Sequence, residues 1–158
     1  MPVWFEQFDR LVVAQLERWS VTLLRVSLGI VFLWFGALKV LDVTPVAELV
    51  ASTVYWVDPG WFVPLLGAVE MLVGLGLLVR RALRAVLAVF LVQMAGTFLV
   101  LVIQPEVAFS EGNPFQLTTE GEFVIKNLVL LSAGLVVGST VRRPSESSHP
   151  GEVKEVPV

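Results

Sequence analysis

The sequence predicts an all-α, polytopic membrane protein: a four-transmembrane-helix bundle preceded by an N-terminal amphipathic interfacial helix. Three observations carry that prediction. Of the 158 residues, 56 % are hydrophobic and 16 % charged, against roughly 45–50 % and 25 % in soluble domains. Four stretches, 21–40, 61–79, 82–104 and 123–141, each approach the length of about 20 apolar residues that crosses a bilayer. Positive charge also alternates from one connection to the next. Arg10 and Arg18 precede the first span, Arg80, Arg81 and Arg84 surround the second connection, and Arg142, Arg143 and Lys154 follow the fourth span. The connections 41–60 and 105–122 hold no Lys or Arg and carry Asp42, Glu48, Asp58, Glu106, Glu111, Glu120 and Glu122 instead. Because positive charge is retained in the cytoplasm, both termini are expected there and both acidic connections outside.

The elements follow in chain order. Trp4, Phe5, Phe8, Leu11, Val12 and Leu16 recur at helical spacing, with Glu6, Asp9, Arg10 and Glu17 elsewhere. Residues 1–19 are therefore expected to lie on the cytoplasmic leaflet before the chain turns into the first span. No cleavable signal is expected, since Glu6, Asp9 and Arg10 interrupt any apolar h-region. After the first span, Thr44 with Pro45 predicts the start of a short helix reaching about residue 57. Asp58-Pro59-Gly60 ends it, and Tyr55, Trp56, Trp61 and Phe62 cluster as an interfacial aromatic belt. Ser110-Glu111-Gly112-Asn113-Pro114 is turn chemistry. Thr119 and Glu122 have the spacing of a capping box at the start of the fourth span. Gly134 and Gly138 form a small-xxx-small pair suited to close helix approach. Residues 20–141 thus form one transmembrane domain, and 142–158, rich in Ser, Pro and Glu, a disordered cytoplasmic tail.

Function, on this reading, sits with a few polar groups at membrane depth. Arg25, Glu70 and Lys126 each interrupt an apolar run. A charge there costs roughly 2.5–3.5 kcal/mol on insertion scales, so it needs a partner. Counting ~1.5 Å per residue from the span boundaries places Arg25 and Glu70 about 6 Å apart in height. An ion pair between them is expected, serving either to fix helix register or as the polar floor of a cavity for a small amphipathic molecule. Lys126 has two readings as well. It follows Glu122 at the favourable i, i+4 spacing. Alternatively Lys126, Asn127 and Lys39 present donors to a ligand head, with Trp34 and Phe35 beside its apolar body. Lys39 has the further option of snorkelling to the interface. Gln93 and Gln104 read as helix–helix hydrogen-bonding groups.

Other chemistries have nothing to rest on. Cysteine is absent, and His149 is the sole histidine. Thiol redox, thiolate metal sites and disulfides are excluded within the chain, and no metal site is expected. One buried carboxylate is not a proton relay, and no catalytic residue is assigned. No basic surface offers a nucleic-acid footprint.

Leu24-Arg25-Val26-Ser27-Leu28-Gly29 through Phe35-Gly36-Ala37-Leu38-Lys39 resembles the first-helix signature of the DoxX-like superfamily. Gly67-Ala68-Val69-Glu70-Met71-Leu72-Val73-Gly74 looks like its second-helix pattern. Gly121-Glu122-Phe123-Val124-Ile125-Lys126-Asn127 is similar to the opening of helix four, especially in the DUF417 branch. The resemblance implies a four-helix bundle of the bacterial inner membrane. It also implies links to respiratory or quinone-linked oxidoreductase assemblies and to oxidative-stress resistance. The cysteine-dependent mechanism of wider relatives does not carry over. The leading expectation is a non-catalytic subunit or binding module that holds a lipid, a quinone or a partner helix, with no covalently bound cofactor. The alternatives are a membrane subunit of a quinone-linked oxidoreductase or oxidant-resistance system, and a small transporter. Membrane lipid is the first expected partner, and another membrane protein or a second copy is also open.

Overall fold

The computed structural model describes residues 3–44 and 47–141. It forms four long helices, each long and apolar enough to cross a membrane, joined by short helical connections. The chain is a multi-pass membrane protein of the expected class. Helix α1 spans Val3–Val40, α2 Ala47–Thr53, α3 Pro59–Val79 and α4 Leu83–Ile103. Helix α5 covers Pro105–Ala108, and α6 runs Thr119–Ser139. A 3-10 turn at Ser110–Gly112 and an isolated bridge between Phe109 and Leu117 complete the second long connection. The tail 142–158 lies outside the described residues.

Three local expectations need correction. Helix α1 is continuous over 38 residues, so no turn separates an interfacial helix from the first span. At 1.5 Å per residue it is about 57 Å long, nearly twice the ~30 Å hydrocarbon core. Its first four to five turns project from the bundle, with residues 4–20 all exposed. No glycine or proline stands between positions 3 and 28, so neither of the two strongest helix breakers interrupts the run. The short helix of the first connection is confined to Ala47–Thr53; Pro45 lies outside the described residues, and the Thr44 hydroxyl is buried without a hydrogen-bond partner among them. Finally, the α6 cap is Thr118 rather than Thr119. The Thr118 hydroxyl accepts from Gly121 N at 3.0 Å and donates to the Val107 carbonyl. That shift puts glycine, not Glu122, at the capping-box position. At α3 the proposed breaker also acts as the start signal: the Asp58 carboxylate accepts from Gly60 N at 2.9 Å, with Pro59 opening the helix.

The most extensive helix pairing is antiparallel, between α1 and α3, and its cause is four glycines. A Cβ built on Gly36 would stand 2.5 Å from the Gly67 carbonyl oxygen, and one on Gly67 would stand 2.6 Å from that of Gly36. One turn-pair further on, a Cβ on Gly74 would stand 2.6 Å from the Gly29 carbonyl oxygen. The two backbones therefore touch, and only glycine permits that approach. The α4–α6 seam is built differently. Gly134 makes room for the Phe90 ring, and Gly138 meets only the end of Leu87. The small-xxx-small pair of α6 thus accepts side chains and does not bring two backbones together.

Between these two seams the bundle is unequal along its length. Around the Arg80–Ala82 hairpin, Leu28, Val73, Leu77, Leu87, Phe90, Ala133 and Val137 pack into a dense apolar core. Phe32 and Phe90 close it, with ring centroids 5.1 Å apart. Toward the opposite end, beneath α2, the core gives way to a cavity.

Candidate functional site

The glycine register decides which charges can meet. It sets Arg25 level with Leu78, about eight residues from Glu70 along α3, or ~12 Å. Arg25 accordingly does not reach Glu70, and the expected Arg25–Glu70 pair does not form. Its guanidinium donates instead to the Leu77 carbonyl and, at 3.1 Å, to the Leu78 carbonyl. These belong to the last turn of α3, where carbonyls lack helical partners and a cation is favoured. Arg25 is thus a cap for α3. The height estimate failed because small errors at two antiparallel span boundaries add.

Glu70 pairs with Lys39. Nζ donates to Oε2 at 2.6 Å, and the two side chains are 8 % and 12 % exposed. The Lys39 stem lies over Gly67, which lets the side chain run inward along α3. Lys39 therefore does not snorkel to the interface. Burial removes both charges from water, so the attraction is offset by desolvation, yet loss of one partner strands the other.

This ion pair sits at the wall of a cavity of about 730 Å³, within the size range of small-molecule sites. Val31, Phe32 and Phe35 line it from α1, and Leu66 and Val69 from α3. Helix α2 covers one end with Leu49, Val50 and Thr53, and Val54 of the following turn joins them. That cover is fastened to the end of α4 by reciprocal hydrogen bonds. Gln104 Nε2 donates to the Ser52 carbonyl at 2.7 Å, and Ser52 Oγ donates to Gln104 Oε1 at 3.1 Å. On α4, Val92 and Gly96 border the cavity while remaining exposed on the lipid-facing surface. A Cβ on Gly96 would meet nothing within 4 Å, so the cavity opens past this position.

The candidate residues divide clearly. Lys39, Lys126 and Asn127 border the one cavity. Asn127 is buried, and its Nδ2 donates to the Phe123 carbonyl at 3.1 Å. Lys126 is at the rim: its side chain is 74 % exposed, and Nζ donates to Glu122 Oε2 at 2.9 Å. The i, i+4 pair is formed, and Lys126 borders the cavity as well. Trp34 is a correction. It is 66 % exposed and does not line the cavity; its neighbour Phe35 does, against Phe123 at 6.1 Å between centroids.

Gln93 belongs to the site and escaped the sequence reading, which placed it between helices. It borders the cavity, and its amide lies beside the Glu70 carboxylate, short of ordinary hydrogen-bond geometry. Both amide heavy atoms are buried without a partner, an expensive arrangement in an apolar interior. The role of α2 as a cover was also not foreseen, since nothing in a seven-residue helix announces what it packs on. Among the described residues no cluster of His, Cys, Asp and Glu has the makings of a metal site.

No curated protein and no solved structure matches the chain significantly. The family profile described as DoxX matches residues 20–103, more than half of the sequence. The matched region takes in the glycine seam, Arg25, the Lys39–Glu70 pair and Gln93, and stops before α6. On that match, joined to the four-span architecture, the chain belongs to the DoxX family.

Proposed function

We propose that the protein is a membrane-embedded binding module that holds an amphipathic small molecule, a lipid or a quinone, in the cavity between its two helix seams. The observation that carries this reading is the cavity itself. An apolar chamber of about 730 Å³ has a buried Lys39–Glu70 pair in its wall, an arrangement matched to a molecule with a long apolar body and a small polar head. The opening past Gly96 supplies a lateral route from the bilayer. The dense core around Phe90 closes the other half of the bundle, so the chamber has a floor and no second mouth there. The role proposed is to bind and present rather than to react.

Gly96 makes the test clean. The Cβ of a Gly96→Trp side chain starts in open space, and its ring is expected to occupy the mouth. Wild type and variant, purified in mild detergent, are compared by mass spectrometry of co-purifying small molecules. A single amphiphile at near-stoichiometric amount in wild type, reduced to background in Gly96→Trp at unchanged melting temperature, is the expected outcome. Equal amounts in both proteins would show that whatever co-purifies coats the surface.

A further inference from the structure

Resting on the binding reading above, the charges around the cavity say what kind of head it accepts. Three ionic side chains line it: Lys39, Glu70 and Lys126. Each is already neutralised. Lys39 and Glu70 face each other at 2.6 Å, and Lys126 is held by Glu122 at 2.9 Å. An anionic head near Lys39 would also lie against the Glu70 carboxylate, and a cationic head would lie against the Lys39 ammonium. In an apolar chamber neither repulsion is screened by water. Against this balanced wall stands one unmet demand. The Gln93 amide lacks partners on both its nitrogen and its oxygen, so it needs an acceptor for the first and a donor for the second. That amide and the ion pair border the same cavity.

We infer that the cavity selects an uncharged amphiphile whose head both donates and accepts hydrogen bonds, as an alcohol, a phenol or a secondary amide does. A head that only accepts, such as an ester, satisfies the Gln93 nitrogen and leaves its oxygen stranded. Charged heads are rejected because Lys39 and Glu70 are spent on each other. Selectivity is therefore a property of the pair and not of either residue.

The experiment uses the full chain in phosphatidylcholine nanodiscs doped with equal mole fractions of four amphiphiles of equal tail length. These are dodecanoyl ethanolamide, methyl dodecanoate, dodecanoate and dodecyltrimethylammonium. Occupancy is read by native mass spectrometry of the released protein. In wild type the ethanolamide is expected to exceed both charged species by roughly tenfold, an advantage of about 1.4 kcal/mol, with the methyl ester between. In Glu70→Gln the freed Lys39 should raise dodecanoate occupancy by a similar roughly tenfold factor. Should that variant not fold, Lys39→Gln/Glu70→Gln keeps the wall neutral and is expected to go on rejecting dodecanoate. Equal occupancy of charged and uncharged amphiphiles in wild type overturns the inference while leaving the binding reading intact. Dodecanoate capture by the double variant overturns it too, since a neutral wall would then not be what excludes the anion. If none of the four occupies the wild-type chamber while all partition into the disc, the binding reading itself falls.

Discussion

The two helix seams of this bundle achieve cohesion in opposite ways. Along α1–α3 the backbones touch at Gly29, Gly36, Gly67 and Gly74, and the register is fixed with almost no freedom. Along α4–α6 the contact is a ring in a slot, Phe90 over Gly134, and beyond it the helices border an open chamber. Backbone contact specifies position; side-chain contact leaves volume. The close seam places Lys39 against Glu70, and the looser one provides the space that the pair overlooks. A cavity in a membrane bundle needs both, since a uniformly loose bundle would not hold its polar wall and a uniformly tight one would have no chamber.

The severest way to break this contrast is Gly36→Leu. Its Cβ has no space against the Gly67 carbonyl, and backbone cannot yield as a side chain end can. A loss beyond about 5 kcal/mol, in the range of mutations that disrupt a core, is expected, seen as failure to recover folded protein in detergent. Folding of the variant at near wild-type yield would mean that the seam is not the register-setting contact.

A smaller effect separates the seam from the charges it aligns. Lys39→Met should cost about 3–5 kcal/mol by stranding Glu70, whereas Lys39→Met/Glu70→Met should recover most of that loss. Arg25→Met combined with Glu70→Met should instead be additive to within about 0.5 kcal/mol, because these side chains share no partner. Unfolding of the variants in mixed micelles gives both cycles. Strong coupling between Arg25 and Glu70 would contradict the register described.

The smallest effect tests the loose seam. Gly138→Ala places its Cβ about 3.5 Å from Leu87 Cδ1, an ordinary contact. Gly138 lies in the last turn of α6, so replacing it should be neutral or stabilise by less than the roughly 0.5–1 kcal/mol of a mid-helix glycine. A clear loss in the same unfolding assay would show that α4 and α6 approach more closely than a ring-in-slot contact requires.

Much of the architecture was legible in the residues. Apolar runs and loop chemistry located the last three spans to within about four positions at either end and the end of the first at Val40, and Asp58-Pro59-Gly60 was read as a break before α3. Polar residues at depth drew attention to Lys39, Glu70, Lys126 and Asn127, all of which border the cavity. Pairing was harder, because height along a span is a local quantity while partnership depends on the register of two helices. The signal was nevertheless present: Gly29 and Gly36 share the seven-residue spacing of Gly67 and Gly74, which aligns two antiparallel helices glycine to glycine. Read that way, Arg25 falls opposite the end of α3 and not opposite Glu70. Trp34 was misplaced for a related reason. It neighbours Phe35 in sequence, but successive helical residues point about 100° apart, and only one of the two faces the chamber. The continuity of α1 left no mark of its own, since an amphipathic helix and a transmembrane helix join without any residue that objects.

That continuity has a mechanical consequence. A single unbroken helix carries the exposed N-terminal segment at one end and Lys39 at the other, with the glycine seam and the Arg25 hydrogen bonds clamping it to α3 between them. From Gly29, the helix extends about 37 Å to Trp4 and about 15 Å to Lys39. Held at Arg25, Gly29 and Gly36, the inner length of α1 has no single pivot. A lateral push on the aromatic residues near its free end therefore bends the helix before Arg25 and leaves Lys39 against Glu70.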